Sequence, residues 1–364
     1  MIVQKYKDML SGKSVIRQLS EFATERGKEI GYENVFDFSL GNPSVPAPQE
    51  FTDAMIRMLQ EENPMTLHGY SPSLGITAVR EAVAASLKER FGIPYTKDDI
   101  FMASGAAGAL AHAFRLVTEP GDEILTFAPF FPEYHPYVDL TGAVLKVVPA
   151  NTADFQINFE AFESMINEKT MAIMINTPNN PSGIVYSRET LQKLADTLRA
   201  KSAEYGHDIF IISDEPYREI VFEGVEAPCV SAYYDNTIMC YSFSKSLSLP
   251  GERLGYVLVP GEVTDSGQVY AAVAGAGRSL GYVNAPSLFQ QLVKHCLGNT
   301  ADIGIYDENR KLLYSTLTEY GFEAVYPDGA FYLFLKSPEP DANTFCEKAK
   351  AFELLLVPGD DFGC

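Results

Sequence analysis

Short, continuous apolar runs alternate with longer stretches of helical periodicity through the middle of this chain, and this alternation constrains the fold more than any other feature. The apolar runs have the length of strands and lie at 124–127, 143–148, 171–175, 209–212, 238–241 and 255–259. Helical patterns lie around and between them, at 78–90, 107–117 and 188–203. Strands that are apolar on both faces are typical of a mainly parallel sheet covered by helices on each side. We therefore predict an α/β fold whose ligand site lies at the carboxyl ends of the strands.

The last part of the chain has a different pattern. A long helical pattern runs from about Pro286 to Tyr320, and an apolar segment follows at 329–334. A further helical stretch lies near 342–352. Helices mixed with an apolar segment, without the regular alternation seen earlier, predict a second and smaller α+β domain.

Composition and charge argue against several classes of protein. The formal net charge of -20 makes nucleic acid and anionic membranes unfavourable partners, because their phosphates would be repelled. No segment approaches the roughly 20 apolar residues that span a bilayer, and residues 1–8 lack the apolar region of a signal peptide. The five cysteines are scattered and form no C-x-x-C, which favours a reducing cytoplasm over disulfides or zinc. The histidines are dispersed as well, so we expect no metal site.

The segment around Lys245 points to a specific chemistry. Ser242 and Ser244 precede this lysine, and Arg253 follows it by eight residues. A Schiff-base enzyme that uses a phosphorylated aldehyde needs an amine to bond the aldehyde, and hydroxyls and a guanidinium to hold the phosphate. A solvated lysine in a surface loop is the alternative. The pattern S-x-S-K-x-x-x-x-x-G-x-R-x-G resembles the lysine signature of pyridoxal-phosphate (PLP) aminotransferases of fold type I, class I/II.

Two further motifs follow predicted strands in the order that this family has. An N-x-P-x-N-P-S-G segment contains Asn180, and Asp214 and Tyr217 form an Asp-x-x-Tyr after the next strand. By themselves these motifs could be a β-turn and a helix cap. The resemblance implies that Asp214 faces the pyridine nitrogen of the cofactor and keeps it protonated. It also implies that Asn180 and Tyr217 share the phenolic oxygen.

A phosphate-binding helix start is implied by a third motif. Small residues occupy Ser104-Gly105-Ala106-Ala107-Gly108 ahead of an apolar helical stretch. Free amides at a helix start bind anions well, although a glycine-rich start without any ligand is at least as common. The resemblance assigns the amides of Ala106 and Ala107 to the cofactor phosphate, together with Ser242, Ser244 and Arg253.

Three single residues complete the resemblance. Phe131, in a P-F-F-P-E-Y segment, would stack on the pyridine ring, although such an aromatic is more often part of a core. Gly41, in a G-N-P segment, would lie with Asn180 near the substrate carboxylate. Tyr70 would reach the phosphate of a neighbouring subunit, which implies a homodimer with shared active sites.

The resemblance covers the chain from about Phe38 to its end and implies a domain arrangement and an activity. Residues 46–295 would form a large PLP-binding domain, and residues 1–45 with 296–364 a small domain. Lys245, Asp214 and Tyr217 would be catalytic in a ping-pong transfer of an amino group between an L-amino acid and a 2-oxo acid. Relatives extend beyond a V-P-G-x-x-F-G segment to an arginine that binds the substrate carboxylate. This chain ends before it, and we favour an incomplete chain over a different carboxylate-binding group or an impaired site.

Three alternatives to transamination differ in the features they require. A PLP-dependent C–S lyase would share the fold and the cofactor motifs. A regulatory PLP-binding protein usually carries an N-terminal DNA-binding module, for which about 40 residues before Gly41 leave little room. A dinucleotide-binding protein needs G-x-G-x-x-G after an early strand, which the Gly105–Gly108 segment does not provide.

Overall fold

A computed structural model of the chain describes residues 2–4, 6–7 and 14–364. The strands in this part are β1 (Phe36–Asp37), β2 (Ile100–Ala103), β3 (Glu123–Phe127), β4 (Val144–Val148), β5 (Thr170–Asn176), β6 (Phe210–Asp214), β7 (Thr237–Ser242), β8 (Gly255–Leu258) and β9 (Leu354–Leu355). The central sheet has seven strands in the order β2-β8-β7-β6-β5-β3-β4. Its neighbours are parallel except for the two pairs that involve β8. This sheet confirms the predicted α/β fold class.

The six predicted strands are present with ends shifted by no more than two residues. The edge strand β2 is an addition that the sequence analysis missed. Its four residues stand between an acidic turn and the Ser104-Gly105 pair, so the run is too short to be recognised by its length. The strand is nevertheless fully buried, because helices cover both of its faces.

The predicted helical stretches at 78–90, 107–117 and 188–203 are confirmed with ends shifted by no more than two residues. The helices of the described chain are α1 (Val15–Ile30), α2 (Gln49–Glu61), α3 (Pro64–His68), α4 (Thr77–Phe91), α5 (Gly105–Val117), α6 (Tyr134–Asp139), α7 (Phe159–Met165), α8 (Arg188–Tyr205), α9 (Phe243–Ser246), α10 (Ser266–Ser279), α11 (Ser287–Val293), α12 (Ile303–Glu319) and α13 (Ala342–Lys350). Helix α8 begins where the Ser187 hydroxyl accepts from the Thr190 N–H, and it ends at Gly206 in the left-handed conformation.

Both faces of the sheet are buried, and the strand residues alternate between them. On β5, Ala172 and Met174 belong to the core that includes α5, whereas Ile173 and Ile175 belong to the core that includes α8. Successive side chains of a strand point to opposite faces, so continuous apolar strands need cover on both. The two layers of helices supply that cover and fix the edges of the sheet, where the polar motifs lie.

The prediction of one long helical pattern from Pro286 to Tyr320 was wrong in one respect. It consists of two helices, α11 and α12, and the chain between them passes through Gly298 with φ +86°. Helix α12 then starts at Asp302, whose carboxylate accepts from the Gly304 N–H. A left-handed glycine followed by an N-terminal cap interrupts a helix although the apolar spacing continues across the break.

The N-terminal and C-terminal parts of the chain are joined by a two-stranded parallel sheet. Phe36 of β1 pairs with Leu354 of β9, and Leu355 packs against Leu19 and Ala23 of α1. This pairing supports one small unit built from both parts. The boundaries given above, 46–295 for the large domain and 1–45 with 296–364 for the small one, stay a prediction.

The described residues contain neither a membrane-spanning helix nor a metal-binding cluster. None of their helices is long and apolar enough to cross a membrane. Within the same residues, no group of histidine, cysteine and carboxylate side chains is arranged to hold a metal ion.

Candidate active site

The predicted motifs meet at one edge of the central sheet. The parallel strands β5, β6 and β7 end there at Asn176, Asp214 and Ser242. Strand β2 ends at the same edge and leads into the start of α5, and the antiparallel β8 begins there because Gly255 pairs with both Ala103 and Ser242. Carboxyl ends of neighbouring parallel strands form a crevice in α/β sheets, and the topology therefore brings these motifs together.

Lys245 lies in this crevice on the short helix α9. Its Nζ donates to the Gly41 carbonyl oxygen at 2.5 Å, and it lies 5.4 Å from the ring centre of Phe331 and 5.8 Å from that of Tyr217. Burial and, to a smaller extent, the Arg253 charge lower the pKa of the Lys245 amine to about 8, against the opposing charge of Asp214. The amine is therefore substantially neutral near pH 8, the form that attacks an aldehyde and accepts a proton.

Asp214 is buried at the end of β6 and uses only one of its two carboxylate oxygens. The Tyr134 hydroxyl donates to Oδ2 at 2.8 Å, while Oδ1 has no hydrogen-bond partner among the described residues. Burial raises the pKa of this carboxyl to about 7, against the Tyr134 hydrogen bond and the Lys245 charge. A buried carboxylate oxygen without a partner is costly, and a cationic N–H placed opposite it would remove that cost.

Asn176 connects the asparagine loop to the Asp214 strand. Its Oδ1 accepts from the Asn180 N–H at 2.7 Å, and its Nδ2 donates to the Asp214 carbonyl at 2.8 Å. The Asn180 side chain lies beside the Tyr217 hydroxyl, where it opposes the rise in the pKa of Tyr217 that burial causes. The Tyr217 hydroxyl also lies 2.6 Å from the Tyr332 hydroxyl. Asn180 and Tyr217, predicted to act on the same atom, are thus adjacent.

The predicted phosphate site is built from the start of α5 and the segment that precedes β8. The Ser104 side chain makes no capping bond to α5, so it leaves the Ala106 and Ala107 amides unoccupied. The Arg253 guanidinium lies against Gly105, where a Cβ would stand 2.8 Å from Nη2. Among the described residues, no carboxylate forms an ion pair with it, and its Nη1 donates to the Pro250 carbonyl at 2.8 Å. Its charge is therefore available to an anion.

The two serines of the lysine segment lie beside this start of α5. The Ser242 and Ser244 hydroxyl oxygens are 2.6 Å apart, and Ser242 also accepts from the Ser244 N–H. Gly255 keeps the elements close, because a Cβ there would lie 3.0 Å from the Gly105 carbonyl carbon. The two hydroxyls, the guanidinium and the helix amides form a set of donors suited to a phosphate monoester.

Two further residues of the predicted site, Phe131 and Tyr70, differ in whether they lie near the other site residues. Phe131 is half-buried, and its ring contacts that of Tyr134 edge-on with centres 5.6 Å apart. It therefore lies beside the tyrosine that donates to the Asp214 carboxylate. Tyr70 is 93% exposed, and no contact joins it to the Lys245 cluster within the described chain. A single chain thus brings together all the predicted site residues except Tyr70.

The residues present fit a pyridine aldehyde phosphate. Asp214 Oδ1 offers an unpartnered acceptor for a ring N–H, Lys245 offers an amine of lowered pKa, and the Arg253 side offers donors without a carboxylate partner. A ring with a nitrogen at one end and a phosphate at the other would use both the acceptor and the donors.

Comparison with known proteins identifies the family. Residues 33–364 match the model of the family described as aminotransferase class I and II. The chain belongs to this family. Members of the family use pyridoxal phosphate, so this is the cofactor that the crevice fits. The resemblance noted from the Lys245, Asn180 and Asp214 motifs is thereby confirmed at the level of the family, the enzyme class and the cofactor.

The relatives are aminotransferases that match nearly the whole chain. The aspartate aminotransferase of Thermotoga maritima is 31% identical, over 96% of this chain and 92% of its own length. The crystal structure of an amino transferase from Eubacterium rectale is 52% identical with a TM-score of 0.97, covering 100% of this chain and 92% of its own. The Thermus thermophilus aspartate aminotransferase with maleate is 26% identical with a TM-score of 0.87, again covering 100% and 92%.

Sequence reasoning missed three residues of this class I and II aminotransferase that contact the predicted ones. They are Tyr134, Asn176 and Tyr332. Asn176 and Tyr134 lay inside motifs already noted, and a polar residue at a strand end was the available signal for Asn176. Tyr332 gave no such signal, because a tyrosine inside an apolar run is most often part of a core. The roles of the individual residues stay predictions.

Proposed function

We propose that this aminotransferase moves an amino group between an L-amino acid and a 2-oxo acid by a ping-pong mechanism in which Lys245 is the catalytic base. The observation that carries this proposal is the position of Lys245. Its amine is buried, its pKa is lowered to about 8, and the charges of Arg253 and Asp214 both act on it. A base is most effective when its pKa is near the working pH, and burial brings this lysine into that range.

The cofactor would be held by residues at three sides of the crevice. The Ala106 and Ala107 amides, the Ser242 and Ser244 hydroxyls and the Arg253 guanidinium would bind its phosphate. Asp214 would hold its ring nitrogen, Asn180 and Tyr217 its phenolic oxygen, and Phe131 would stack on its ring. When bound, the cofactor supplies an aldehyde for the amino group and an electron-poor ring that stabilises negative charge at the substrate Cα.

The protein's own groups then account for proton movement. Lys245 would hold the aldehyde of the cofactor through its amine, and its free amine would take the proton from the substrate Cα. It would hold that proton at Nζ and return it later in the same half-reaction. The ring centres of Phe331 and Tyr217 lie within 6 Å of this amine, and this apolar cover supports a neutral base. Because the first 2-oxo acid leaves before the second binds, we expect parallel lines in double-reciprocal plots.

The donor is proposed by analogy with named relatives. Those of Thermotoga maritima and Thermus thermophilus are called aspartate aminotransferases, and one from Thermococcus litoralis is called an aromatic-amino-acid aminotransferase. Aspartate is therefore the first donor to test, followed by phenylalanine and tyrosine, with 2-oxoglutarate as acceptor. No observation favours the alternative C–S lyase, which would release a thiol and pyruvate from a cysteine-type substrate in the same assays.

We also propose that the enzyme is a homodimer in which Tyr70 completes the partner's site. Tyr70 and Met65 are 93% and 82% exposed. Val283 is exposed as well, and it is held near them because the neighbouring Asn284 side chain donates to the Ser71 carbonyl. The Gly69 carbonyl accepts from the Ser287 hydroxyl at 2.6 Å, which ties the Tyr70 segment to the start of α11. An exposed aromatic residue on a fixed segment, with apolar neighbours, is suited to an interface.

Mixing two inactive variants tests the shared site. Lys245→Ala and Tyr70→Ala dimers are dissociated and reassociated together. If Tyr70 serves the partner's site, each mixed dimer has one intact site, so random mixing restores about a quarter of wild-type activity. Activity that stays at the level of the separate variants, or a monomer in sedimentation analysis, would rule out the shared site.

The main proposal is tested by the absorption spectrum of the purified protein with PLP, before and after glutamate. We expect a visible band from the lysine-bound cofactor that glutamate converts to the band of the amine form. Lys245→Ala should lose turnover by several orders of magnitude. Lys336→Ala is the control, since this lysine is 68% exposed and pairs only with Glu323 at 2.9 Å. Near-normal transamination by Lys245→Ala would reject the proposal.

A further inference from the structure

Tyr332 forms a direct hydrogen bond with the residue predicted to hold the phenolic oxygen of the cofactor. Its hydroxyl oxygen is 2.6 Å from that of Tyr217, and the two rings meet edge-on with centres 5.6 Å apart. Tyr217 itself is buried, and the Asn180 side chain lies beside its hydroxyl. Tyr332 thus contacts the tyrosine that is predicted to bind the cofactor.

Gly41 leaves the room that this contact requires. The atom nearest to a Cβ built on Gly41 would be the Tyr332 hydroxyl oxygen, and that contact would be a clash. The same glycine provides the carbonyl that accepts from Lys245 Nζ. The bond between the two tyrosines therefore depends on a glycine that also positions the lysine.

Either hydroxyl could donate in this bond, and their surroundings favour donation by Tyr332. Each hydroxyl has one proton, and Tyr332 has no other hydrogen-bond partner among the described residues than Tyr217. If Tyr217 donated to Tyr332, the Tyr332 proton would have no acceptor in a largely buried position, which is costly. If Tyr332 donates, its own proton has an acceptor, and the Tyr217 proton is the one left to point into the crevice, where a bound cofactor would accept it.

We propose that Tyr332 is a positioning residue that acts through Tyr217, donating to its oxygen so that the Tyr217 proton is directed at the phenolic oxygen of the bound cofactor. This inference depends on the proposed function of the Lys245 site. Negative charge on the phenolic oxygen would stabilise a proton on the nitrogen that joins Lys245 and the cofactor. A Tyr217 proton directed at that oxygen would reduce the charge, so the nitrogen would lose its proton more readily. Loss of Tyr332 therefore makes that nitrogen harder to deprotonate.

The test is a pH titration of the visible band of the holoenzyme without substrate. Tyr332→Phe should raise the midpoint by about 0.5 to 1 pH unit, the effect of one net hydrogen bond. Tyr217→Phe should raise it further, and the double variant should match Tyr217→Phe alone, because Tyr332 has no effect without Tyr217. An unchanged midpoint in Tyr332→Phe, or a double variant whose shift equals the sum of the two, would overturn the inference.

Two more variants separate this role from a structural one. Tyr306→Phe is the matched control, since its buried hydroxyl has no partner among the described residues and its ring stacks on Phe331. It should leave the midpoint unchanged, and an equal shift there would overturn the inference. Gly41→Ala should raise the midpoint in the wild-type background by displacing the Tyr332 hydroxyl, but not in Tyr332→Phe.

The proposed function and this inference fail in different ways. A wild-type protein without a visible band, or a band that persists in Lys245→Ala, rejects the Lys245 site and the inference with it. A normal wild-type band that responds to Tyr217→Phe but not to Tyr332→Phe rejects the inference alone. Thermal unfolding of each variant shows that it is folded before its midpoint is compared.

Discussion

The Tyr134 hydroxyl donates to one oxygen of the Asp214 carboxylate at 2.8 Å, and the other oxygen has no partner in the described chain. The carboxyl is buried, so its pKa is raised to about 7, and the Tyr134 hydrogen bond is the strongest influence that opposes this rise. Tyr134 thus helps to keep Asp214 ionised near neutral pH. An ionised Asp214 is what a protonated ring nitrogen requires.

Replacing Tyr134 with phenylalanine should weaken both cofactor binding and turnover. A hydrogen bond to a charged group contributes about 1.5 to 3 kcal/mol, so we expect PLP affinity to fall about 10- to 100-fold. The acid limb of the kcat profile should move to higher pH, because Asp214 then protonates more readily. Equilibrium binding of PLP and kcat against pH measure these effects, with Tyr306→Phe as the control. A profile identical to wild type would show that Asp214 does not depend on Tyr134.

Replacing Asp214 with asparagine should stabilise the apoenzyme at alkaline pH. The pKa of the Asp214 carboxyl is raised from 3.8 to about 7 in the folded protein. Protonation of Asp214 therefore stabilises the folded state fully below the pKa of the unfolded chain, and this stabilisation is lost as pH rises through 7. An asparagine has no charge to desolvate and avoids this loss. We expect the variant to gain at most ~4 kcal/mol over wild type at about pH 8 and far less at about pH 5.

Chemical unfolding of both apoenzymes at the two pH values measures this difference. The same variant should bind PLP much more weakly than wild type, because it lacks the negative charge opposite the ring nitrogen. A stability difference that is equal at both pH values would contradict the raised pKa. The combination of a more stable apoenzyme and a weaker holoenzyme is typical of a residue retained for function at the expense of stability.

The sequence allowed the sheet and most of the crevice to be predicted because both depend on local patterns. The strands before Asn176, Asp214 and Ser242 are continuous apolar runs, and the polar residue that follows each is recognisable. Parallel strands then bring these polar ends to one edge without further information. The Lys245, Asn180 and Asp214 motifs therefore came together as expected.

The contacts that could not be predicted connect distant parts of the chain. Tyr332 is 115 residues from Tyr217, and Gly41 is 204 residues from Lys245. Neither partner lies in a motif that indicates the other. The 329–334 segment is part of none of the strands of the described chain, and an isolated bridge joins its Gly329 to Val221. Such contacts follow from how irregular segments pack, which periodicity does not encode.

The rate at which the apoenzyme captures an aldehyde should depend on the ionisation of Lys245. Because burial lowers its pKa to about 8, the rate should rise with pH and level off above that value. Below it, the neutral fraction and hence the rate fall about tenfold per pH unit. Pyridoxal, which lacks the phosphate, is the suitable probe, since its capture does not depend on the phosphate site.

The Arg253→Gln variant refines this prediction. The guanidinium is the second cause of the lowered pKa, so its removal should move the midpoint of pyridoxal capture to higher pH. The plateau rate should be nearly unchanged, because pyridoxal has no phosphate for Arg253 to bind. Stopped-flow absorbance over the pH range measures both quantities. A midpoint that does not move, or moves to lower pH, would mean that burial alone sets the pKa of this lysine.

The contact of Gly105 with Arg253 leads to a prediction about the start of α5. Gly105 has φ +73°, and a Cβ there would stand 2.8 Å from Arg253 Nη2. Gly105→Ala therefore combines backbone strain of about 1 kcal/mol with displacement of the guanidinium, and PLP affinity should fall at least about tenfold. Gly108→Ala is the matched control, because its Cβ would meet only Ser104 Cβ at 3.4 Å in an ordinary helical conformation.

Comparing PLP with pyridoxal assigns the loss to the phosphate. If Gly105→Ala acts through Arg253 and the helix amides, PLP binding should weaken while pyridoxal binding stays within about twofold of wild type. Equilibrium dialysis of both ligands with the two variants measures this. Equal weakening of both ligands would mean that the alanine disturbs the whole crevice. A Gly108→Ala variant as impaired as Gly105→Ala would mean that the helix start as a whole, and not the contact with Arg253, carries the effect.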